Sequence, residues 1–195
     1  MPKPVRITGR TSSITNSFVN GIIPVIWPTE AEIEEALRVL GMDDVVCAYC
    51  GGASTEWDHF RPLVVGKKPT GYISEIQNLV PACGKCNQSK GNKEWRAWLH
   101  SAARLSPRTR GVADLDIRAA RLEDFERWGS PTRIDFESIV DSELWSRHWR
   151  NYSAIVELMR EAEVTADAIR EAIAASRTAL GATSPLVSPA LDVYP

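Results

Sequence analysis

The sequence predicts an α+β fold, in which a small cysteine-braced module with short strands is embedded in a mostly α-helical chain. Three observations lead to this prediction. The four cysteines form two Cys-x-x-Cys pairs, made by Cys47, Cys50, Cys83 and Cys86. Between the pairs, residues 55–60 are typical of a strand and residues 72–80 of a second strand or a loop. Outside this module, apolar residues recur at helical spacing behind capping residues.

The helices are predicted from caps and periodicity. Thr29–Glu32 forms a capping box, apolar residues follow at helical spacing, and Gly41 ends this helix. A short helix should begin near Asn87. Further helices are predicted after Asn92, after Asp114, over 137–162 and after Thr165.

The chain therefore divides into four predicted segments. Residues 1–44 form an N-terminal arm and a helix, and residues 45–93 form the cysteine module. Residues 94–180 are a helical region suited to target recognition or oligomerisation. Residues 181–195 carry three prolines and few apolar anchors, which predicts a mobile tail.

The two Cys-x-x-Cys pairs predict a structural Zn²⁺ site with four thiolate ligands, because two such turns complete a tetrahedron. Two disulfides, or one redox pair with a spare pair, are the alternatives. No signal peptide is visible, so a cytoplasmic location is expected, where disulfides are rare. No run approaches the ~20 apolar residues of a membrane span, and no membrane partner is expected.

The charge is unevenly distributed along the chain. The net charge is −2 overall, which argues against a general polyanion binder. Residues 60–110, however, carry ten Lys or Arg against two Glu, a net charge of +8. A basic segment beside a metal module suits a phosphate-backbone substrate, although lysines also keep surface loops soluble.

A reactive group of side chains lies within the same segment. Asp58 is a hard oxygen ligand suited to Mg²⁺ or Mn²⁺, and a neutral His59 is a competent base. On a regular strand these neighbours point to opposite faces, whereas a kink would aim both at one cleft. Asn87 directly follows a cysteine, so its amide oxygen is a second hard ligand at a position fixed by the zinc site.

The motifs Cys-x-x-Cys, Asp-His-x-x-Pro, Asn-Leu-x-Pro-x-Cys-x-x-Cys-Asn and Lys-Gly-Asn occur in this order over residues 45–93. This ordered set resembles the HNH (His-Asn-His) endonuclease family, and within it the branch whose ββα-metal fold is braced by a four-cysteine zinc. The resemblance implies that Asp58 and Asn87 bind a catalytic divalent metal and that His59 is the general base. It implies that Asn78 holds the active-site loop and that Lys90 contacts a phosphate or the fold.

The implied function is a Mg²⁺- or Mn²⁺-dependent DNA endonuclease that leaves 5′-phosphate and 3′-hydroxyl ends, in a restriction, defence, phage or mobile-element setting. Its DNA is expected to be double-stranded, and the oligomeric state is left open, with a homodimer as one option. The basic residues expected to contact nucleic acid are Arg61, Lys67, Lys68, Lys85, Lys90 and Lys93.

Two features depart from the family pattern. The final metal ligand is Asn87 rather than His, and the stretch from His59 to Asn78 is long, with a predicted hairpin tip at 66–71. Two alternatives stay open. One is a zinc-stabilised nucleic-acid binding module without turnover, and the other is an RNA-directed or toxin-type nuclease.

Overall fold

The computed structural model describes residues 4–179, and the predicted tail at 181–195 lies outside them. The α+β fold class is confirmed by a mixture of helices and small two-stranded sheets. The described residues form two compact units, one made of residues 19–139 and the other of residues 4–18 and 140–179. These limits differ from the four predicted segments because helices on both sides of the cysteine module pack into its core.

A β-hairpin and one helix form the centre of the 19–139 unit. Strand β1 (Glu56–His59) pairs antiparallel with β4 (Leu79–Ala82), and helix α3 (Gly84–Lys90) follows one residue later. Strand β1 confirms the strand expected at 55–60. Helix α3 begins three residues before the expected start at Asn87, with Cys83 at its N-cap.

The connection between β1 and β4 carries a second hairpin. Strands β2 (Val64–Val65) and β3 (Lys68–Pro69) pair around Gly66 and Lys67. Both turn residues have positive φ, of 58° and 65°, which is the backbone of a tight two-residue hairpin turn. The insertion predicted at 66–71 is therefore an ordered turn that projects from the module.

Helices surround the module in the same unit. Helix α2 (Glu30–Val39) begins with the predicted capping box, and Gly41 follows it with a φ of 62°. Helix α4 spans Trp95–Leu99, α5 spans Leu115–Trp128 and α6 spans Phe136–Ile139. Glu94, not the predicted Asn92, caps α4, since its carboxylate accepts from two backbone amides of the first turn. Asp114 precedes α5 but makes no side-chain cap.

The module and these helices share one hydrophobic core. Phe60, which directly follows β1, stacks on Trp95 of α4 and meets Phe125 of α5 edge to face. Tyr49 lies edge to face against Trp98. These side chains are at most 2% exposed. The metal-binding segment is thus held in place by large aromatic side chains from the helices that follow it in sequence.

The other unit contains α7 (Ser142–Ala179) and most of α1 (Thr11–Asn20). Residues 8–20 of the predicted arm are a 3₁₀ turn followed by α1, because Phe18 packs on Tyr152 and Thr15 bonds to its hydroxyl. The separate last helix predicted after Thr165 is also wrong. Thr165 lies inside α7, where its hydroxyl donates to the carbonyl of Glu161. Among residues 4–179, no helix combines the length and apolar character required to cross a membrane.

Candidate active site and zinc centre

The four cysteine sulfurs converge on one point. All four Sγ atoms lie within 4.8 Å of one another, and Cys50 Sγ is 3.7 Å from Cys83 Sγ. Tetrahedral zinc with Zn–S bonds of about 2.3 Å requires sulfur–sulfur edges of about 3.8 Å. The residues therefore fit the predicted structural zinc, and no disulfide joins them. Hydrogen bonds among the clustered thiols lower the pKa of Cys50 and raise the pKa of Cys47 to about 11 and that of Cys86.

Two arginines that the sequence did not single out for the zinc centre lie against this cluster. Arg110 Nη2 donates to Cys86 Sγ at 2.9 Å. The guanidinium of Arg118 packs on the first knuckle so closely that a Cβ on Gly51 would lie 2.4 Å from its Nη2. Four thiolates around one Zn²⁺ carry net negative charge, so both cations reduce the cost of burying it. Their distance in sequence from the cysteines concealed this role.

Asp58 is buried at the third position of β1 and is 5% exposed. Its Oδ2 accepts a hydrogen bond of 2.6 Å from the Tyr49 hydroxyl and lies 3.0 Å from Lys90 Nζ. Burial raises the pKa of Asp58, and the charge of Lys90 opposes this shift. Within the described residues, Oδ1 makes no hydrogen bond, so one carboxylate oxygen remains to bind a ligand.

Lys90 is fully buried, which contradicts the expectation that it contacts nucleic acid. Besides pairing with Asp58, its Nζ donates to the backbone carbonyl of His59 at 2.7 Å. Burial lowers the pKa of Lys90, and the carboxylate of Asp58 counters that effect. Lys90 therefore joins helix α3 to the end of β1. Of the two roles that the resemblance implied, contact with a phosphate or with the fold, these contacts agree with the second.

His59 is the last residue of β1, and its side chain contacts a different part of the module from Asp58. Its Nε2 lies 3.0 Å from Ser74 Oγ. Backbone hydrogen bonds hold Ser74 between Pro24 and Ile26, at 3.1 Å and 2.8 Å. Burial and, to a smaller extent, the nearby charge of Lys90 together lower the pKa of His59 to about 4. The strand pairing stays regular through His59, and the Asp58 and His59 side chains hydrogen-bond to different partners.

Asn78 is fully buried and bonds to the chain just after His59. Its Oδ1 accepts from the Arg61 amide at 2.8 Å, while its Nδ2 donates to the carbonyls of Arg61 and Ile73 at 3.2 Å and 3.4 Å. In addition, the Phe60 amide donates to the Asn78 carbonyl at 2.8 Å. These bonds join the start of β4 to the turn after β1, as a loop-holding role for Asn78 requires.

Asn87 lies on the first turn of α3, directly after the zinc-ligand candidate Cys86. Its Nδ2 donates to Glu56 Oε2 at 2.7 Å. Among residues 4–179, its Oδ1 makes no hydrogen bond and is available as a ligand. The sequence did not single out Glu56, because only the folded structure brings this residue of β1 into contact with α3.

The remaining predicted nucleic-acid contacts differ in exposure. Arg61 is directed inward, with its guanidinium 3.6 Å from Glu126 and 5.9 Å from the Tyr72 ring centre. Lys93 is exposed, and its Nζ donates to the Ser89 carbonyl near the end of α3 at 2.8 Å. Lys67 and Lys68 are exposed on the β2–β3 hairpin, and Lys85 is exposed on α3. The lysines of the hairpin and α3 are therefore better placed than Arg61 to meet a polyanion.

Two antiparallel strands, a helix after them and a four-cysteine cluster agree with the ββα-metal fold that the motif resemblance implied. Residues 47–93 match the family model described as HNH endonuclease, and the four-cysteine cluster lies within the matched range. The family resemblance inferred from the motifs is thereby confirmed.

A relative is found among characterised proteins. Over 152 residues the chain is 31% identical to the CRISPR-associated endonuclease Cas9 of Corynebacterium diphtheriae. The match covers 64% of this chain and 14% of that protein, so the chain corresponds to a small part of its relative's length. No solved structure gives a significant match.

Proposed function

We propose that this chain is a divalent-metal-dependent endonuclease that hydrolyses DNA phosphodiester bonds with His59 as the general base. The observation that carries the proposal is the placement of His59 at the end of β1, with its ring held by Ser74. Asn87, a candidate metal-binding amide, lies on helix α3, which follows the β1–β4 hairpin and starts at the cysteine cluster. The HNH match over residues 47–93 supports the reaction class.

The contact with Ser74 supports a defined role for each ring nitrogen of His59. When Nε2–H donates to Ser74 Oγ, Nδ1 carries the lone pair and accepts a proton. The lowered pKa keeps the ring neutral near pH 7. His59 then removes a proton from a water molecule, and the oxygen of that water attacks phosphorus. The bond from phosphorus to the 3′-oxygen breaks, and the 3′-oxygen takes up a proton from solvent. The products carry 5′-phosphate and 3′-hydroxyl ends.

Asp58 and Asn87 are the residues proposed to hold Mg²⁺ or Mn²⁺. Each retains an oxygen without a hydrogen bond in the described part of the chain, and both are hard ligands that suit these ions. The ion would supply neutralisation of charge on the phosphoryl and leaving oxygens. Tyr49 and Lys90 hold the Asp58 carboxylate in place through Oδ2.

Double-stranded DNA is the proposed substrate. The exposed lysines on the β2–β3 hairpin and on α3 supply positive charge beside the module, as a phosphate backbone requires. The likeness to an endonuclease named as CRISPR-associated agrees with this class of substrate. A nuclease that acts on RNA would share the chemistry, so substrate comparison distinguishes the two.

The test is incubation of the zinc-loaded protein with supercoiled plasmid, with and without Mg²⁺ or Mn²⁺, beside His59→Ala. We expect nicked or linear DNA only with added metal, and at least a 100-fold loss in the variant. His100→Ala is the matched control, because His100 is a half-buried histidine at the end of α4. Cleavage that survives His59→Ala contradicts the mechanism. Salt-sensitive binding without any product would favour a binding module, and cleavage confined to RNA would favour the other alternative.

A further inference from the structure

Glu56 and Asn87 form a contact that the assignments above leave unused. Glu56 begins β1, and its Oε2 accepts a 2.7 Å hydrogen bond from Asn87 Nδ2 across the gap between strand and helix. Gly84 provides room for the carboxylate, since a Cβ there would lie 3.0 Å from Glu56 Oε1. The contact therefore joins the start of the strand to the first turn of α3.

The chemistry of the two groups makes this contact directional. A primary amide can present either its oxygen or its NH₂ group to a neighbour, and half a turn about the side-chain bond exchanges them. An ionised carboxylate only accepts hydrogen bonds, so Glu56 selects the orientation with Nδ2 toward itself. Asn87 Oδ1 must then face away from Glu56. An amide in the opposite orientation would present NH₂ to a cation and could not bind it.

Other charges near Glu56 agree with a cation on this side of the module. The second acidic group of the strand is Asp58. Both belong to β1 two residues apart and share one face of the strand. Glu56 is exposed, and in the described residues Oε1 has no partner.

We propose that Glu56 is a positioning residue, which fixes the amide of Asn87 so that Oδ1 faces the divalent cation. This inference rests on the proposed function, since it assumes that Asn87 is a metal ligand. It assigns Glu56 no direct bond to the ion. Partners that orient metal ligands commonly contribute 10- to 100-fold to metal affinity.

The first measurement is the Mn²⁺ affinity of the zinc-loaded protein. Electron paramagnetic resonance detects the free ion, so the measurement does not depend on cleavage. We expect Glu56→Ala to weaken binding about 10-fold or more. Glu56→Gln keeps an acceptor oxygen and should recover part of this loss. Glu34→Ala is the control for loss of one acidic charge, because Glu34 is exposed on α2. Zinc content and melting temperature establish that each variant is folded.

The decisive comparison repeats Glu56→Ala in an Asn87→Asp background. Both oxygens of an aspartate can bind a cation, so no orientation needs to be selected. If Glu56 is a positioning residue, Glu56→Ala weakens Mn²⁺ binding in the protein that retains Asn87. In the Asn87→Asp protein the same substitution leaves Mn²⁺ binding unchanged or improves it. A direct ligand or a general electrostatic effect predicts equal loss in both backgrounds, which would overturn the inference.

The outcomes separate this inference from the proposed function. Unchanged Mn²⁺ affinity in Glu56→Ala, with cleavage still lost in His59→Ala, overturns the role of Glu56 and leaves the nuclease standing. A wild-type protein that binds no Mn²⁺ overturns both. Weakened binding limited to the Asn87 background supports the positioning role even before the natural substrate is known.

Discussion

At the scale of single residues, the site depends on buried charges that compensate one another. Lys90 and Asp58 are both nearly inaccessible to water, and each would be costly to bury without its partner. The Tyr49 hydroxyl occupies the same carboxylate oxygen and restricts its orientation further. A removed partner would leave one buried charge uncompensated, so the pair fixes the strand and α3 in one arrangement.

His59 gives a pH-dependent contribution to stability. Its folded pKa of about 4 lies below the ordinary value near 6.5, so between these pH values the unfolded chain binds a proton that the folded chain does not. Stability should therefore fall as pH decreases from 7 to 4, by about 3 kcal/mol at most from this group. Urea unfolding of wild type and His59→Gln at a series of pH values measures the difference.

The variant also serves as the control in that experiment. Acid should weaken zinc binding equally in both proteins. Burial raises the pKa of Asp58, so protonation of Asp58 raises stability as the pH falls, opposite to the effect of His59. Only the difference between the two proteins reports His59. Equal slopes against pH for wild type and variant would contradict the lowered pKa.

The sequence singles out candidate residues for the chemistry, but not their partners. Asp58, His59 and Asn87 are candidates because motifs place them beside the cysteines. Ser74 and Glu56 stand in no recognisable motif, and only the folded hairpin brings them to His59 and Asn87. Lys90 was misassigned to nucleic acid because a lysine in a basic segment gives no indication of burial.

At the scale of elements, Asn78 acts as a bracket between the two strands of the hairpin. A single side chain satisfies one amide and two carbonyls of the chain between β1 and β4. Arg61 and Ile73 lie outside the β2–β3 hairpin, so these bonds satisfy backbone groups that the strand pairing there does not reach. The amide at this position therefore specifies the path of the chain directly after His59.

Replacement of Asn78 by Ala should destabilise the protein by about 2–4 kcal/mol, because it leaves buried backbone groups of Arg61 and Ile73 without partners. Chemical denaturation measures this change. Gln77→Ala is the matched control, since it removes a neighbouring amide that is only half-buried, and we expect a change below about 1 kcal/mol. Similar losses in the two variants would contradict the bracketing role.

The predictability of elements followed the strength of local signals. The capping box of α2 was read correctly because both of its hydrogen bonds are local. The start of α4 was misassigned, since Glu94 and Asn92 are both acceptable caps and tertiary packing of Trp95 decides between them. The break at Thr165 was wrong because no Gly or Pro interrupts α7 there, and an internal threonine can bond to the preceding turn.

At the scale of the whole molecule, the zinc centre belongs to one of the two compact units. All four cysteines, the candidate catalytic residues and the aromatic core lie within residues 19–139. The four cysteines lie in the loop after α2 and at the start of α3, and Cys47 and Cys86 are part of the buried core. Metal binding and folding of this unit are accordingly coupled.

Zinc removal should unfold the 19–139 unit selectively. Hydrogen exchange after chelation should rise across residues 47–128, while protection of α7 over 142–177 persists, because its contacts with the N-terminal segment contain no metal ligand. Cys83→Ser should reproduce the effect, and restored zinc should reverse it only in the wild type. A stable and protected Cys83→Ser unit would contradict the structural role of the metal.

The short helix α3 has an evolutionary consequence. Over seven residues it carries one zinc ligand, Asn87 and Lys90, which contact three different partners. One inserted or deleted residue would rotate everything beyond it by about 100° and separate these contacts. The β2–β3 hairpin ends in an exposed turn at Gly66 and Lys67. Among natural variants of this module, length differences should accumulate in that hairpin, whereas the spacing within α3 stays constant.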